Sequence, residues 1–231
     1  MLNDTANTDN NGTIEGTTVD PDEVAFFARI ADSWWDPSGP FKPLHQLNPT
    51  RLAYIRREVC AHFGIDDTGT VPFKGLRLLD IGCGGGLISE PMCRLGADVV
   101  AVDASEKNIK TASVHAAADG LEIDFRNNTA EALAEAGEQF DVIINMEVIE
   151  HVADAKTLLT CLDSLLKPGG ILAVMTKRVL GVDAFSRWHY KNDPTHICFY
   201  SEESFQWLAK KWQWQLEVID RDLVFLTKSR S

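Results

Sequence analysis

The sequence predicts an α/β fold: a Rossmann-like doubly wound sheet, mostly parallel, with an antiparallel hairpin at the C-terminal end and a helical extension at the N-terminus. Three observations carry this. From about residue 75, the short apolar runs "RLLDIGC", "DVVAVDA", "IDFRNN", "FDVIINME" and "GILAVMT" alternate with helical stretches, the pattern of parallel strands covered on both faces. The first run breaks into a glycine turn at Gly82, Gly84, Gly85 and Gly86, the place where a ligand reaches the backbone of such a sheet. The chain then ends differently, in "QLEVIDRDLVFLTK", which reads as two strands about Arg221 and Asp222.

Taken in order, residues 1–19 are rich in Asn, Thr, Asp and Gly and read as a disordered tail. Residues 20–69 read as a helical lid. Its first helix has Asp20 as cap, Pro21 in the first turn and Glu23 three residues past the cap, then Val24, Phe27, Ala28 and Ala31 on one face. "DPSGPFKPLHQL" reads as a loop in which His45 orders the chain. "NPTRLAYIRREVCAHFG" reads as a second helix with Asn48 as cap and Gly64 as stop. Trp34 and Trp35 read as pins holding this layer to the body, or as the wall of an apolar acceptor pocket. Residues 70–231 form the ligand-binding domain, with "KPGG" (167–170) closing a helix before the fifth strand and "SEESFQWLAKKW" forming the last helix.

Composition bounds the function. The net charge of -12 disfavours a nucleic-acid partner, because phosphate contacts need a basic face. No apolar run approaches the roughly 20 residues of a membrane-spanning helix. Five scattered cysteines without C-x-x-C argue against a disulfide framework or a zinc site, and the expected location is the cytoplasm.

The glycine turn is not a dinucleotide fingerprint. G-x-G-x-x-G needs a third glycine where Leu87 stands, and Asp80 just before the turn is unwelcoming to a pyrophosphate. An acidic residue there suits a cationic ligand. Asp103 ends the second strand about 20 residues on, where a carboxylate accepts ribose hydroxyls. Together these point to S-adenosylmethionine, a nucleoside carrying a sulfonium. A nicotinamide-dependent oxidoreductase and a non-catalytic cofactor-binding module stand as the alternatives.

"LLDIGCGGG", Asp103 and "PGG" resemble class I S-adenosylmethionine-dependent methyltransferases. "WWDPSGPFKPLHQLNPTRLAYI", "HAAADGLEIDFRNNTAE" and "EVIEHV" resemble the ubiquinone-biosynthesis O-methyltransferase family, over about Phe26 to Gly170. The resemblance implies methyl transfer to a phenolic hydroxyl of a polyprenylated, lipophilic catechol-type acceptor. It places cofactor contacts on Arg51, Gly82, Asp103 and Met146, beside Asp80 and Gly84 of the turn itself. It associates Glu147, Glu150 and His151 with a divalent cation such as Mg²⁺, and makes Glu147 and His151 candidates for activating the phenol. It also brings contact with a membrane or biosynthetic complex into view, at the inner membrane face. After "ILAVMTKR" the resemblance fails. Lys177 and Arg178 follow Thr176 where the family has Asn-Arg, and a short aromatic stretch replaces its longer apolar one. "WHYKNDPTHICFYS" is similar instead to another set of bacterial small-molecule methyltransferases. His189, Tyr190 and His196 become pocket candidates, His196 as an alternative base, and a different small-molecule acceptor remains open.

Overall fold

In the computed structural model, which describes residues 18–230, the chain runs α1 (Pro21–Ile30), α2 (Lys42–Phe63), β1 (Arg77–Ile81), α3 (Ser89–Arg94), β2 (Asp98–Asp103), α4 (Glu106–Ala118), β3 (Asp124–Asn127) and α5 (Ala130–Glu135). It continues through β4 (Phe140–Met146), α6 (Ala155–Leu165), β5 (Leu166–Met175), α7 (Val182–Ser186), α8 (Glu202–Trp212), β6 (Trp214–Val218) and β7 (Leu223–Lys228). The tail expected over residues 1–19 lies outside the described residues up to position 17.

The seven strands form one sheet in the order β3-β2-β1-β4-β5-β7-β6. β1 to β5 are parallel, and β7 returns antiparallel between β5 and β6. Successive side chains of a strand point to opposite faces, and both faces are apolar here. Leu79, Ile81, Val102 and Ile143 join Leu158, Leu162 and Phe205 on one side. Leu78, Val99, Ala101 and Ile144 join Ile55, Val59 and Met92 on the other. The strand order reverses between β1 and β4, so their carboxyl ends open a crevice, the usual ligand position in such sheets.

Three local expectations change. α2 begins at Lys42, not after Asn48, so part of the expected loop is helix. Pro43 is tolerated in the first turn, where its missing N–H has no partner to lose. Asn48 spends its amide on tertiary bonds instead, donating to the Leu87 carbonyl (3.0 Å) and accepting from Arg51 Nε (2.5 Å). "KPGG" does not close a helix. α6 stops at Leu165 and the chain enters β5 at once, with the four residues absorbed where pairing slips between Phe140 and Val142. At α1, Asp20 caps through the Asp22 N–H (2.9 Å), while Glu23 turns into the crevice rather than completing a capping box.

Candidate active site

The crevice holds a cavity lined by Gly82 and Gly84 from the glycine turn, Asp103 from β2, Glu147 and His151 after β4, and Glu23, Phe27 and Trp34 from the N-terminal layer. Gly82 has φ +71°, and a Cβ there would lie 2.4 Å from Val148. Only glycine meets both demands. Gly84 also has positive φ (+54°), and its Cβ would strike the Trp34 ring at 2.4 Å. The glycines therefore admit the lid as well as a ligand. Trp34 donates its indole N–H to Asn108 Oδ1 (3.0 Å) and Trp35 donates to the Gly85 carbonyl (2.9 Å). Trp35 also stacks flat on His115 at 3.5 Å. The pinning role expected of both tryptophans is what they perform, and Trp34 lines the cavity too. His45 lies in the first turns of α2 and not in a loop, and its Nε2, 2.8 Å from the Trp34 carbonyl, ties the helix to the turn before it.

Asp103 is held by three donors: the N–H of Gly84 (2.9 Å), the N–H of Ser105 (2.8 Å) and the Asn108 amide (3.1 Å). Its orientation is fixed at the strand end while lone pairs remain for ribose hydroxyls. Asp80, Arg51 and Met146 are buried but do not line the cavity. Asp80 accepts from the Ser89 hydroxyl (2.6 Å), and burial pushes its carboxyl up to about 6. Desolvation lowers the Arg51 guanidinium to about 10, against the pull of Glu147 and Asp80.

After β4 the chain turns sharply. Glu147 adopts φ +55°, uncommon for a residue with a side chain, and the short helical turn Ile149–His151 carries Glu150 and His151 inward. Glu150 is fully buried; burial first, and then Glu147, push its carboxyl up to about 8. Burial and the neighbouring His196 lower His151 to about 4, so its imidazole is neutral at pH 7. His151 Nδ1 lies 3.0 Å from the Thr195 carbonyl. With Nδ1 carrying the hydrogen, Nε2 is left as acceptor.

Sequence reasoning placed Tyr190 near the pocket without a role. Its hydroxyl donates to Glu150 Oε1 and, at 3.3 Å, to Glu147 Oε2. Glu147 Oε1 and Glu150 Oε2 are buried with no hydrogen-bond partner among the described residues. Glu23 was missed altogether. Its Oε1 lies 3.3 Å from His151 Nδ1, Phe27 packs edge-on against the same ring, and burial then Asp103 push its carboxyl up to about 7. The only sequence signal was an acid at a helix start, which reads as a cap. His189 is exposed and drops out of the pocket set.

A parallel sheet that switches at β1/β4, a bare turn after β1 and a fixed carboxylate at the end of β2 define a class I S-adenosylmethionine-dependent methyltransferase. Residues 52–218 match the family model described as "Methyltransferase domain". A ubiquinone biosynthesis O-methyltransferase of Parvibaculum lavamentivorans is 61% identical over 171 residues, 74% of this chain and 68% of that one. One of Cereibacter sphaeroides is 45% identical over 92% of this chain and 97% of that one. Among solved structures, the magnesium protoporphyrin IX methyltransferase of Synechocystis with bound SAH superposes with TM-score 0.64 at 18% identity, over 89% of this chain and 94% of that one, a likeness of fold. The chain belongs to the ubiquinone biosynthesis O-methyltransferase family. This sets aside the nicotinamide alternative.

Proposed function

We propose that the protein transfers the methyl group of S-adenosylmethionine to a phenolic hydroxyl of a polyprenylated catechol-type ubiquinone precursor. The observation that carries this reading is the meeting of Gly82 and Asp103, the nucleoside side, with Glu147 and His151, the proton-handling side, in one cavity. Asp103 accepts the ribose hydroxyls, Gly82 lets the ligand approach the backbone, Met146 and Arg51 serve the adenine and the carboxylate tail, and Asp80 offsets the sulfonium charge.

The reaction is an in-line displacement. The acceptor oxygen bonds to the methyl carbon, the carbon–sulfur bond breaks with its electron pair left on sulfur, and the phenol's proton must leave. A phenol with a pKa near 10 is mostly protonated at pH 7. With no cation on it, the His151 Nε2 lone pair is the acceptor placed for that proton. Glu147 and Glu150, with orphaned buried oxygens, and His151 suit a divalent cation such as Mg²⁺. Such a cation, held by the same nitrogen, would take the place of that lone pair by acidifying the phenol. Leu180, just ahead of α7, and Val182, its first residue, are 59% and 86% exposed and are the apolar side chains that would touch a bilayer carrying the acceptor.

The test is turnover of a short-prenyl catechol with S-adenosylmethionine, together with co-sedimentation on anionic vesicles. O-methylated product supports the reading; cofactor binding with no product on any catechol overturns it. One observation favours a second acceptor class. The stretch 188–200 packs Trp188, Tyr190 and Phe199 ring to ring beside the Glu150–His151 turn, which suits a compact aromatic acceptor. Turnover of an unprenylated phenol above the prenylated one would select that reading.

A further inference from the structure

The stretch from Trp188 to Cys198 is sewn onto the Glu150–His151 turn. The N–H groups of Ile197 and Cys198 both donate to the Glu150 carbonyl at 2.9 Å, and the Thr195 carbonyl accepts from His151 Nδ1. Between these ties stands His196. Its Nδ1 lies 2.8 Å from the Tyr190 carbonyl, so with that bond made, Nε2 keeps its lone pair. Its ring centroid is 4.8 Å from that of His151 and 3.9 Å from that of Tyr190. One potential ligand atom from each of Glu150, His151 and His196 falls within a mutual 4.8 Å.

The two imidazoles share the same arrangement: Nδ1 tied to a backbone carbonyl and, among the described residues, Nε2 without a hydrogen-bond partner. Metal-binding histidines are held this way, since the carbonyl fixes both tautomer and ring plane. Independently, Glu150 Oε2 is fully buried with no hydrogen-bond partner among the described residues. Tyr190 holds the other Glu150 oxygen and reaches Glu147, tying both carboxylates to the same group.

We propose that His196 is a further ligand to the cation of the Glu147–Glu150–His151 site, and that this second imidazole tunes the site to Zn²⁺ over Mg²⁺. This deepens the cation reading given above and rests on it. Imidazole nitrogen suits transition metals, whereas Mg²⁺ selects oxygen ligands and retains water. A site of this kind needs no cysteine, so the cysteine spacing that argued against zinc does not bear on it.

The experiment is calorimetry on the metal-stripped, full-length protein with Zn²⁺ alone and Mg²⁺ alone, with no acceptor present. The visible spectrum of the Co²⁺-loaded form reports loss of a nitrogen ligand. Wild type is expected to bind Zn²⁺ at least 100-fold tighter than Mg²⁺. His196→Ala and His196→Asn should each lose at least 10-fold in Zn²⁺ affinity and change the Co²⁺ spectrum, while the exposed His189→Ala keeps both. Asn replaces the Nδ1 donor but not Nε2, so loss in the Ala variant alone marks a structural role and overturns the proposal. Unchanged Zn²⁺ affinity in both variants, or a wild type preferring Mg²⁺, overturns it also. A wild type that takes up no divalent ion removes the cation reading itself, an outcome distinct from a binding protein indifferent to His196.

Discussion

Asp80 closes β1 with its carboxyl buried, served by the Ser89 hydroxyl and facing Arg51. Its pKa rises from 3.8 to about 6 on folding, chiefly by desolvation. An acid with a raised folded pKa favours the folded state below its unfolded value and loses that contribution as pH climbs through the folded one. Asp80→Asn should therefore match wild-type stability near pH 4 and exceed it by on the order of 3 kcal/mol at pH 7. The same variant should bind S-adenosylmethionine at least 10-fold more weakly, since the neutral amide no longer offsets the sulfonium. Urea unfolding at the two pH values, with cofactor titrations, checks both; a variant neither more stable nor weaker in binding would remove Asp80 from the site. Residues of this kind were legible because they sit at fixed offsets along one strand–turn unit. Glu23 and Tyr190 were not, because their roles arise only when α1 and the 188–198 stretch fold over β4 from opposite ends of the chain.

The N-terminal layer is held to the glycine turn by contact with bare backbone, not by a broad core. Trp34 lies where the side chains of Gly84 and Gly85 would be, its ring stacks on Phe41 at 3.6 Å, and among the described residues Ala31, Phe41 and Leu87 join it as a small buried cluster, with Phe27, Ile30, Trp35 and Leu44 half-buried against it. Gly84→Ala must push this ring away and strain a backbone at φ +54°. It should cost about 1–3 kcal/mol, and limited proteolysis should cut ahead of residue 42 faster than in wild type. Trp34→Ala in the same chain should recover part of the Gly84→Ala loss, because it removes the clash. If the two losses simply add, Trp34 does not bear on that glycine. The strands were readable from their apolar runs, and α8 from its period. The start of α2 was not. Asn48-Pro49 imitates a helix cap, and only the tertiary bonds of Asn48 to Leu87 and Arg51 show that its side chain is engaged elsewhere.

Across the whole molecule, the sheet reversal brings Glu23, Asp103 and Glu147 to the wall of one crevice, with Asp80 and Glu150 buried at the ends of β1 and β4 behind it, each with its carboxyl pushed upward by burial. Such a crevice stores unfavourable desolvation in the free protein, and a ligand that carries positive charge and hydrogen-bond donors relieves it. Binding to the folded state alone stabilises by mass action, about 2.7 kcal/mol at a hundred times Kd. For a chain of this size that is a Tm rise of roughly 5–10 °C. S-adenosylmethionine should produce this shift in thermal melts, and NAD at the same concentration should not. Asp103→Ala should fold, since its three donors can turn to water at the cavity wall, yet should lose most of the shift at the concentration that saturates wild type. Retention of the full shift in Asp103→Ala would place the nucleoside elsewhere on the sheet, because Asp103 is the carboxylate that Gly84, Ser105 and Asn108 fix at the β2 end of the crevice.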